Sequence, residues 1–249
     1  MEQFKLDFND KVAVVTGGAG RIGRPLCEKL ASAGVVVAVV DLDAKGAETE
    51  AERIRADGGT AHGYGMDVQS TESVSETARR ILADFRRVDI LVNNAGVWRK
   101  KPIEEMDEEF WNFHINLNLN GVFRVTRAFL PGMIERRHGR IVNIGSISGE
   151  VGLPGFGAYA TAKAGVIMFT KTLAMEVAKR GVTVNCVSPG MIGDHPCGPI
   201  KQTWVERWGT GTEVADLVVF LASGGASFIT GVDYTIDGGR ILGPRFADV

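Results

Sequence analysis

A tyrosine and a lysine stand four residues apart, at Tyr159 and Lys163, in a stretch whose apolar spacing predicts a helix. Residues four apart lie on one face of a helix, so the phenol and the ammonium are expected to be neighbours. A cation beside a phenol lowers the phenol's pKa from about 10. Such a tyrosine can take a proton from an alcohol or give one to a ketone. Alone, this spacing is common on amphipathic helices and is more often structural.

Other polar residues stand where predicted strands end. Ser146 follows the apolar run Ile141–Ile144 and precedes Tyr159 by 13 residues. The stretch Asn93-Asn94-Ala95-Gly96 follows another strand, and Asn118 lies 25 residues beyond Asn93. The carboxyl ends of parallel strands line the crevice in which ligands bind. These side chains are therefore expected to meet Tyr159 at one edge of a sheet.

The elements that must position these residues alternate along the chain. The predicted strands are Val12–Val15, Val35–Val40, Thr60–Gly65, Asp89–Val92, Arg140–Ile144, Thr183–Val187 and Asp233–Ile236. The predicted helices lie near Ile22–Ser32, Ala44–Ala56, Thr71–Phe85, Glu108–Glu135, Ala158–Lys179 and Thr212–Ala222. Several strands are continuously apolar, as expected when helices cover both faces of a sheet. The pattern predicts an α/β fold, a Rossmann-type doubly wound parallel sheet of about seven strands, as a single domain over residues 1–249.

A glycine-rich turn, Thr16 to Gly23, joins the first strand to the first helix. Such a turn lets the backbone approach a pyrophosphate, whose charge the helix N-terminus favours. The next strand ends at Asp41, about 20 residues on, where a carboxylate can accept hydrogen bonds from the adenosine ribose. Asp41 would repel the 2′-phosphate of NADP, and no basic residue directly follows it. The sequence therefore favours NAD(H) as cofactor.

Taken together, these motifs resemble the short-chain dehydrogenase/reductase family over nearly the whole chain. Pro189-Gly190 and Asp237-Gly238-Gly239 add to the match. The family's glycine-rich loop is matched by Thr16, Gly17 and Gly23, but Arg21 replaces its middle glycine, as it does in pteridine reductases. Arg21 could pair with a phosphate or be an exposed first-turn arginine, and both interpretations stay open.

The resemblance implies catalytic roles for four residues. Tyr159 would exchange the proton with the substrate oxygen, while Lys163 would hold the nicotinamide ribose and lower the pKa of the tyrosine. Ser146 would hydrogen-bond the substrate oxygen. Asn118 would hold a water in the proton relay, since its spacing fits better than that of the neighbouring asparagines.

The resemblance also implies a set of cofactor contacts. Asp67 and Val68 match an adenine-contacting pair, and Asn94 to Gly96 would line the adenosine side. The full set is Gly17, Arg21, Ile22, Gly23, Asp41, Leu42, Asp67, Val68, Asn94, Ala95, Gly96, Tyr159, Lys163, Pro189, Gly190 and Ile192. Asp194 stands where many relatives have a cofactor-contacting threonine and receives no role, and His195 is more often a surface-loop residue than a titrating group.

Composition narrows the class of protein. A net charge of -2 gives no electrostatic reason to expect nucleic acid or an anionic membrane surface. The first ten residues do not read as a signal peptide, and no apolar run is long enough for a bilayer. Three distant cysteines fit a reducing cytoplasm. Four histidines show no ligand spacing, so no metal site is expected.

The expected activity is reversible hydride transfer between NAD(H) and a secondary alcohol or carbonyl of a small polar substrate, such as a sugar, polyol or hydroxy acid. The loop Val97–Pro102 and a predicted lid, about Gly193–Trp208, both mix basic residues with tryptophan. An NADPH-dependent carbonyl, 3-oxoacyl-acyl-carrier-protein or pteridine reductase is the alternative. A non-catalytic dinucleotide-binding regulator would keep Asp41 but need no Tyr, Lys and Ser set.

A homo-oligomer, with a tetramer favoured, is expected from the two long predicted helices. They carry apolar residues on more than one face: Phe113, Val122, Phe123, Phe129, Val166, Met168, Phe169 and Leu173. A monomer needs only one apolar face on each surface helix, so the wider apolar surface indicates a second copy. Family relatives commonly pair these helices across a twofold axis.

Overall fold

Seven parallel strands form one sheet in the computed structural model, which describes residue 8, residues 10–193 and residues 201–243. The strands of the chain are β1 (Val12–Thr16), β2 (Val36–Asp41), β3 (Thr60–Gly65), β4 (Ile90–Asn93), β5 (Gly139–Ile144), β6 (Val182–Pro189), β7 (Ile192–Gly193), β8 (Gly209–Thr210) and β9 (Asp233–Ile236). The large sheet has the order β3-β2-β1-β4-β5-β6-β9, and within the described ranges β7 pairs with β8 alone. The strand order reverses between β1 and β4, which opens a crevice at their carboxyl ends.

Helices cover both faces of this sheet. They are α1 (Gly23–Ser32), α2 (Ala44–Ala56), α3 (Thr71–Phe85), α4 (Glu108–Ile115), α5 (Gly121–Glu135), α6 (Gly157–Val177) and α7 (Gly211–Ala222). Adjacent residues of β1 serve different cores, because Val15 packs with α1, α2 and α7 while Val14 packs with α3, α5 and α6. The doubly wound Rossmann-type fold is thus confirmed, and the single domain over residues 1–249 stays a prediction.

The predicted helix Glu108–Glu135 is wrong in one respect. It is divided into α4 and α5 by a π-helical stretch, Asn116–Asn120. Asparagine side chains compete with the backbone for helical hydrogen bonds. Here the Asn118 side chain donates to the His114 carbonyl oxygen at 3.2 Å, the acceptor that an α-helix would give to the Asn118 backbone. Single π turns often occur at functional sites.

A buried chain of hydrogen bonds links the strands and helices behind the crevice. Asn93 Nδ2 donates to Asn143 Oδ1 at 2.8 Å and to Thr126 Oγ1 at 2.9 Å. Asn143 Nδ2 in turn donates to Thr170 Oγ1 at 2.9 Å. Hydrogen bonds between buried side chains hold their elements in one arrangement, although Asn93 Oδ1 itself has no partner among the described residues. The chain therefore fixes β4 and β5 against α5 and α6, the elements that surround the crevice.

The outer faces of α5 and α6 carry exposed apolar side chains. Phe123, Met168 and Met175 are 47%, 60% and 77% exposed. Four of the other apolar residues on these helices belong instead to the core: Val122, Phe129, Val166 and Leu173. We expect these faces to pair in a homo-oligomer, with a tetramer favoured, because a second copy would remove the apolar surface from water. Light scattering at micromolar concentration measures the mass, and a monomer mass would contradict the prediction.

Two features are absent from the described ranges. No helix there is long and apolar enough to cross a bilayer. No group of histidine, cysteine, aspartate and glutamate residues in the same ranges could hold a metal ion.

Candidate active site

The structure brings Tyr159, Lys163 and Ser146 together at the carboxyl end of β5. Tyr159 and Lys163 lie in the first two turns of α6, and Ser146 follows β5 directly. The Ser146 hydroxyl interacts with the Tyr159 phenol and lowers its pKa. Lys163 is buried, with Nζ 5.7 Å from the centroid of the Tyr159 ring. This edge of the sheet therefore holds a phenol, a hydroxyl and an amine in one cluster.

Burial, and not the lysine, dominates the phenol's titration. Desolvation raises the pKa of Tyr159, and the hydrogen bond with Ser146 only partly opposes it. Burial also lowers the pKa of Lys163 to about 8. Nζ of Lys163 donates to the Ile144 carbonyl oxygen at 2.7 Å. Burial and Ser146 account for the shift in the pKa of Tyr159, so the expectation that Lys163 lowers this pKa stays a prediction.

Asn118 lies beside Gly96 in the same crevice. Its Nδ2 donates to the Val97 carbonyl oxygen at 3.2 Å, while its buried Oδ1 has no partner among the described residues. A side-chain carbon on Gly96 would lie 2.6 Å from Asn118 Oδ1 and 3.6 Å from Lys163 Nζ. Only glycine leaves room there. Asn118 thus offers an acceptor close to Lys163, whereas Asn116 is occupied by Arg124.

The glycine-rich turn fits a dinucleotide pyrophosphate. Gly17 has φ +64°, and a side-chain carbon there would lie 2.9 Å from Ala95 Cα. The first helix has Ile22 as its N-cap, no side-chain cap and no acidic residue in its first turn. The Arg24 amide donates to the Gly20 carbonyl oxygen and Pro25 has no amide proton, but no side chain caps this helix N-terminus, where the helix dipole favours an anion. Gly23 packs so closely on Gly17 that no larger residue fits.

Asp41 and Asn94 lie on either side of this turn. Asp41 Oδ2 accepts from the Ala19 amide at 3.1 Å, and Oδ1 accepts from the Asp43 amide at 3.2 Å. Asn94 Nδ2 donates to the carbonyl oxygens of Thr16 and Gly17, each at 3.0 Å. The turn, β2 and β4 are therefore locked together. Leu42, next to Asp41, is 71% exposed.

The other predicted cofactor positions lie around the same edge. Asp67 receives a hydrogen bond from the Gln69 amide, and Val68 packs against Gly121. On the opposite side, a side-chain carbon on Gly190 would lie 2.6 Å from Asp237 Cβ. Arg21 is exposed and donates to the carbonyl oxygen of Ile192 at 3.4 Å. Pro189 ends β6, while Asp194 and His195 lie outside the described residues.

Comparison with known proteins agrees with this geometry. The family model described as short chain dehydrogenase matches residues 11–197. The chain belongs to the short-chain dehydrogenase family. Two relatives are named 3-oxoacyl-[acyl-carrier-protein] reductase FabG: that of Escherichia coli is 40% identical, and that of Vibrio cholerae is 39% identical. Each aligns over 246 residues, covering 95% of this chain and the whole of the relative.

A solved structure of a similar protein supports the fold of this short-chain dehydrogenase. The crystal structure of gox2181 matches with a TM-score of 0.90 and 36% sequence identity. The match covers 96% of this chain and 98% of the other.

The basic residues near the crevice mouth of this short-chain dehydrogenase are largely engaged. Lys101 pairs with Asp107 at 2.6 Å, and the Arg99 guanidinium lies 4.9 Å from the centroid of the Phe113 ring. In the predicted lid, Arg207 forms a two-pronged pair with Glu213, at 2.6 and 3.0 Å. Arg207 therefore faces a carboxylate, and the lid gives less support to a polar or anionic substrate than its composition indicates.

Sequence reasoning missed two aromatic neighbours of the phenol. The ring centroids of His114 and Phe156 each lie 6.2 Å from that of Tyr159. The Phe156 ring also contacts Trp98, which lies nearer the surface. The two ring centroids are 5.8 Å apart, and Trp98 is 61% exposed. The one signal for His114 was its position four residues before Asn118, on the same helical face.

Proposed function

We propose that this protein transfers a hydride between NAD(H) and a secondary alcohol or carbonyl group. The observation that carries the proposal is the cluster of Tyr159, Ser146 and Lys163 at the same sheet edge as the glycine-rich turn. In reduction the Tyr159 phenol gives its proton to the carbonyl oxygen, which Ser146 holds by a hydrogen bond. Lys163 and Asn118 hold the ribose and a water at Gly96. The bound nicotinamide supplies the hydride chemistry.

The carboxylate of Asp41 supports NAD(H) over NADP(H). It is fixed beside the turn by two backbone amides, and no residue in the described ranges forms an ion pair with it. We expect kcat/KM to favour NAD(H) by at least about tenfold. That factor corresponds to about 1.4 kcal/mol of repulsion between the Asp41 carboxylate and the 2′-phosphate of NADP(H). Steady-state kinetics with both cofactors measure the ratio.

Two neutralising variants test the cause of that preference. Asp41→Asn should narrow the ratio by removing the charge that faces a 2′-phosphate. Asp43→Asn is the matched control, because Asp43 caps α2 by accepting from the Lys45 amide and asparagine caps equally well. An NADP(H) preference of about tenfold or more in the natural protein would overturn the assignment.

For the substrate, the comparisons support a 3-oxoacyl-acyl-carrier-protein reductase, the alternative named above, more than an enzyme that acts on a small polar compound. Relatives aligned along their whole length carry the name 3-oxoacyl-[acyl-carrier-protein] reductase, whereas the polar-substrate hypothesis depended partly on Arg207, which Glu213 engages. We therefore put reduction of a 3-oxoacyl thioester first. Oxidation of a sugar, polyol or hydroxy acid is the second candidate, supported by the exposed Trp98. Cytoplasmic location and a tetramer stay predictions.

One activity screen separates these candidates. Acetoacetyl-CoA and a dihydropteridine are offered with NADH and with NADPH, and a panel of sugars, polyols and hydroxy acids is offered with NAD. Absorbance of the reduced nicotinamide reports each reaction. Turnover of acetoacetyl-CoA supports the first candidate, and turnover confined to the panel supports the second. A protein that binds cofactor but turns over nothing would be a dinucleotide-binding regulator.

A further inference from the structure

His114 is a buried histidine that the proposed reaction does not use. It lies in the last turn of α4, two residues before Asn116, and is fully buried. Its ring contacts Phe110 and Phe113, with centroids 4.8 and 5.4 Å apart, as well as Tyr159. Its Nδ1 lies 3.3 Å from Asn118 Nδ2, and its Nε2 has no partner among the described residues. The imidazole therefore lies between the Tyr159 ring of α6 and the side-chain amide of Asn118 in the π-helical stretch.

Two backbone carbonyls and the His114 ring together hold the Asn118 amide in one orientation. Nδ2 lies 3.2 Å from the Val97 oxygen and 3.2 Å from the His114 oxygen. If the amide were turned over, its own oxygen would face both carbonyls, and no hydrogen bond would remain. The Nδ2 side must therefore face His114, which leaves Oδ1 on the side of Gly96 and Lys163.

The amide in turn sets the tautomer of the imidazole. An amide nitrogen is only a donor, so Nδ1 of His114 must be the acceptor at 3.3 Å. In the neutral ring the proton then resides on Nε2. Protonation would place a second N–H on Nδ1, directly against the Nδ2–H group of Asn118. The contact would change from a hydrogen bond to a clash of two donors.

We propose that neutral His114 is a positioning residue that keeps the Asn118 carbonyl turned toward Gly96 and Lys163, and that its protonation releases this carbonyl. The inference rests on the proposed function, because the carbonyl matters only if Asn118 serves the proton relay. It predicts that turnover falls in acid for a reason separate from the titration of Tyr159 and Lys163.

The charged and titratable groups around the ring favour its neutral form. Burial lowers the pKa of His114, and the positive charge of Arg99, from the loop after β4, lowers it further. Tyr159 faces the ring from α6 with a phenol that is neutral at physiological pH, and Lys163 lies beyond Asn118. The active, neutral form is thus present at neutral pH and is lost only as pH falls below the ordinary histidine value of about 6.5.

Two substitutions separate positioning from packing. His114→Leu keeps an apolar side chain but removes the acceptor, and we expect kcat to fall by roughly tenfold to a hundredfold, with little change in the Kd for NADH. His114→Asn restores an acceptor near the Nδ1 position and cannot titrate. It should recover most of the kcat lost in His114→Leu and show no acid limb in its pH profile.

His138 supplies the matched control. Burial lowers its pKa too, but it lies just before β5, at the opposite edge of the sheet from Tyr159. His138→Asn should keep the acid limb of the natural protein. An acid limb that survives unchanged in His114→Asn, or a His114→Leu variant with full kcat, would overturn the proposal.

A measurement that needs no substrate distinguishes failure of this inference from failure of the proposed function. Deuterium exchange at the imidazole Cε1–H, followed by mass spectrometry across a pH series, gives the pKa of each histidine. We expect a value below 6.5 for His114, and a rise in Asn118→Asp, because a carboxylate would then face Nδ1. An unchanged His114 pKa in Asn118→Asp would show that the pair is not in contact, whether or not the protein turns over any substrate.

Discussion

Tyr159→Phe is expected to lower kcat by about 10²- to 10⁴-fold, because the substitution removes the group that we propose transfers the proton to or from the substrate oxygen. Cofactor affinity should change little. The ring keeps its contacts with the rings of His114 and Phe156, so the walls of the crevice survive. Turnover under conditions in which chemistry limits the rate, and NADH binding by fluorescence, measure the two effects separately.

Tyr64→Phe is the matched control for this prediction. Tyr64 is also buried, and its hydroxyl donates to Asp84 at 2.6 Å, but it lies in β3 beneath α3 and away from the crevice. Losing that hydrogen bond should cost about 1 kcal/mol of stability and leave kcat unchanged. If Tyr159→Phe kept more than about a tenth of the natural kcat, the assignment of Tyr159 would be wrong.

The raised pKa of Tyr159 gives the direction of the pH dependence. Reduction needs the protonated phenol, and burial holds it in that form. We therefore expect the reductive kcat to persist above neutral pH and to decline only as pH approaches the raised pKa. Oxidation needs the phenolate, so its rate should rise with pH over the same range.

Sequence patterns were enough to locate most of the fold. Helices Ala44–Ala56 and Thr71–Phe85 and strand Thr60–Gly65 have the same bounds in the sequence prediction and in the structure. Each is bounded by clear signals, such as the capping residues Asp43 and Ser70, whose side chains accept from the first helical amides. Local chemistry of this kind can be read without knowledge of the tertiary structure.

The π-helical stretch could not be read in the same way. The apolar spacing from Glu108 to Glu135 continues through it, and a period of 3.6 residues does not reveal one wider turn. What widens the turn is the side chain of Asn118, which takes the His114 carbonyl. The Asn118 side chain is held in this position partly by the Val97 carbonyl oxygen. Val97 lies in the loop after β4, so its position depends on the tertiary structure of the sheet.

The pKa values of Tyr159 and Lys163 depend on how deeply the two side chains are buried, which residue spacing in the sequence does not show. The i, i+4 relation correctly placed Tyr159 and Lys163 on one helical face. It did not show that Lys163 Nζ would turn to the Ile144 carbonyl, or that desolvation would outweigh charge in setting the phenol's pKa. The partner of the amine at the end of a long lysine side chain depends on the neighbouring strand. For Lys163 that strand is β5, which supplies the Ile144 carbonyl.

Lys163→Met is expected to damage both turnover and cofactor binding, because Lys163 is proposed to hold the nicotinamide ribose as well as to serve the proton relay. Methionine suits the test, since Lys163 is buried and a shorter side chain would leave a cavity. Losing a charge-assisted hydrogen bond should weaken NAD binding by about 10- to 100-fold. We expect kcat to fall by roughly 10²-fold or more.

The lowered pKa of Lys163 adds a pH signature to this prediction. The pKa is about 8 in the folded protein, below the model-peptide value of about 10.4. Between these values the folded protein has released a proton that the unfolded chain retains, so this group makes stability rise with pH across that window. NAD affinity should move the other way, falling as pH passes through 8, because the neutral amine is a weaker donor to the ribose.

Fluorescence titration of NADH from pH 7 to 9.5 measures both the affinity lost in Lys163→Met and the pH dependence of that affinity. The pH dependence around 8 should vanish in Lys163→Met, which carries no titrating group. Lys171→Met is the matched control, because Lys171 is exposed on the same helix, two turns further along, and should leave affinity and its pH dependence unaltered. If Lys163→Met bound NADH at pH 7 as tightly as the natural protein, Lys163 would not hold the cofactor, and its buried amine would serve only the Ile144 carbonyl that it already contacts.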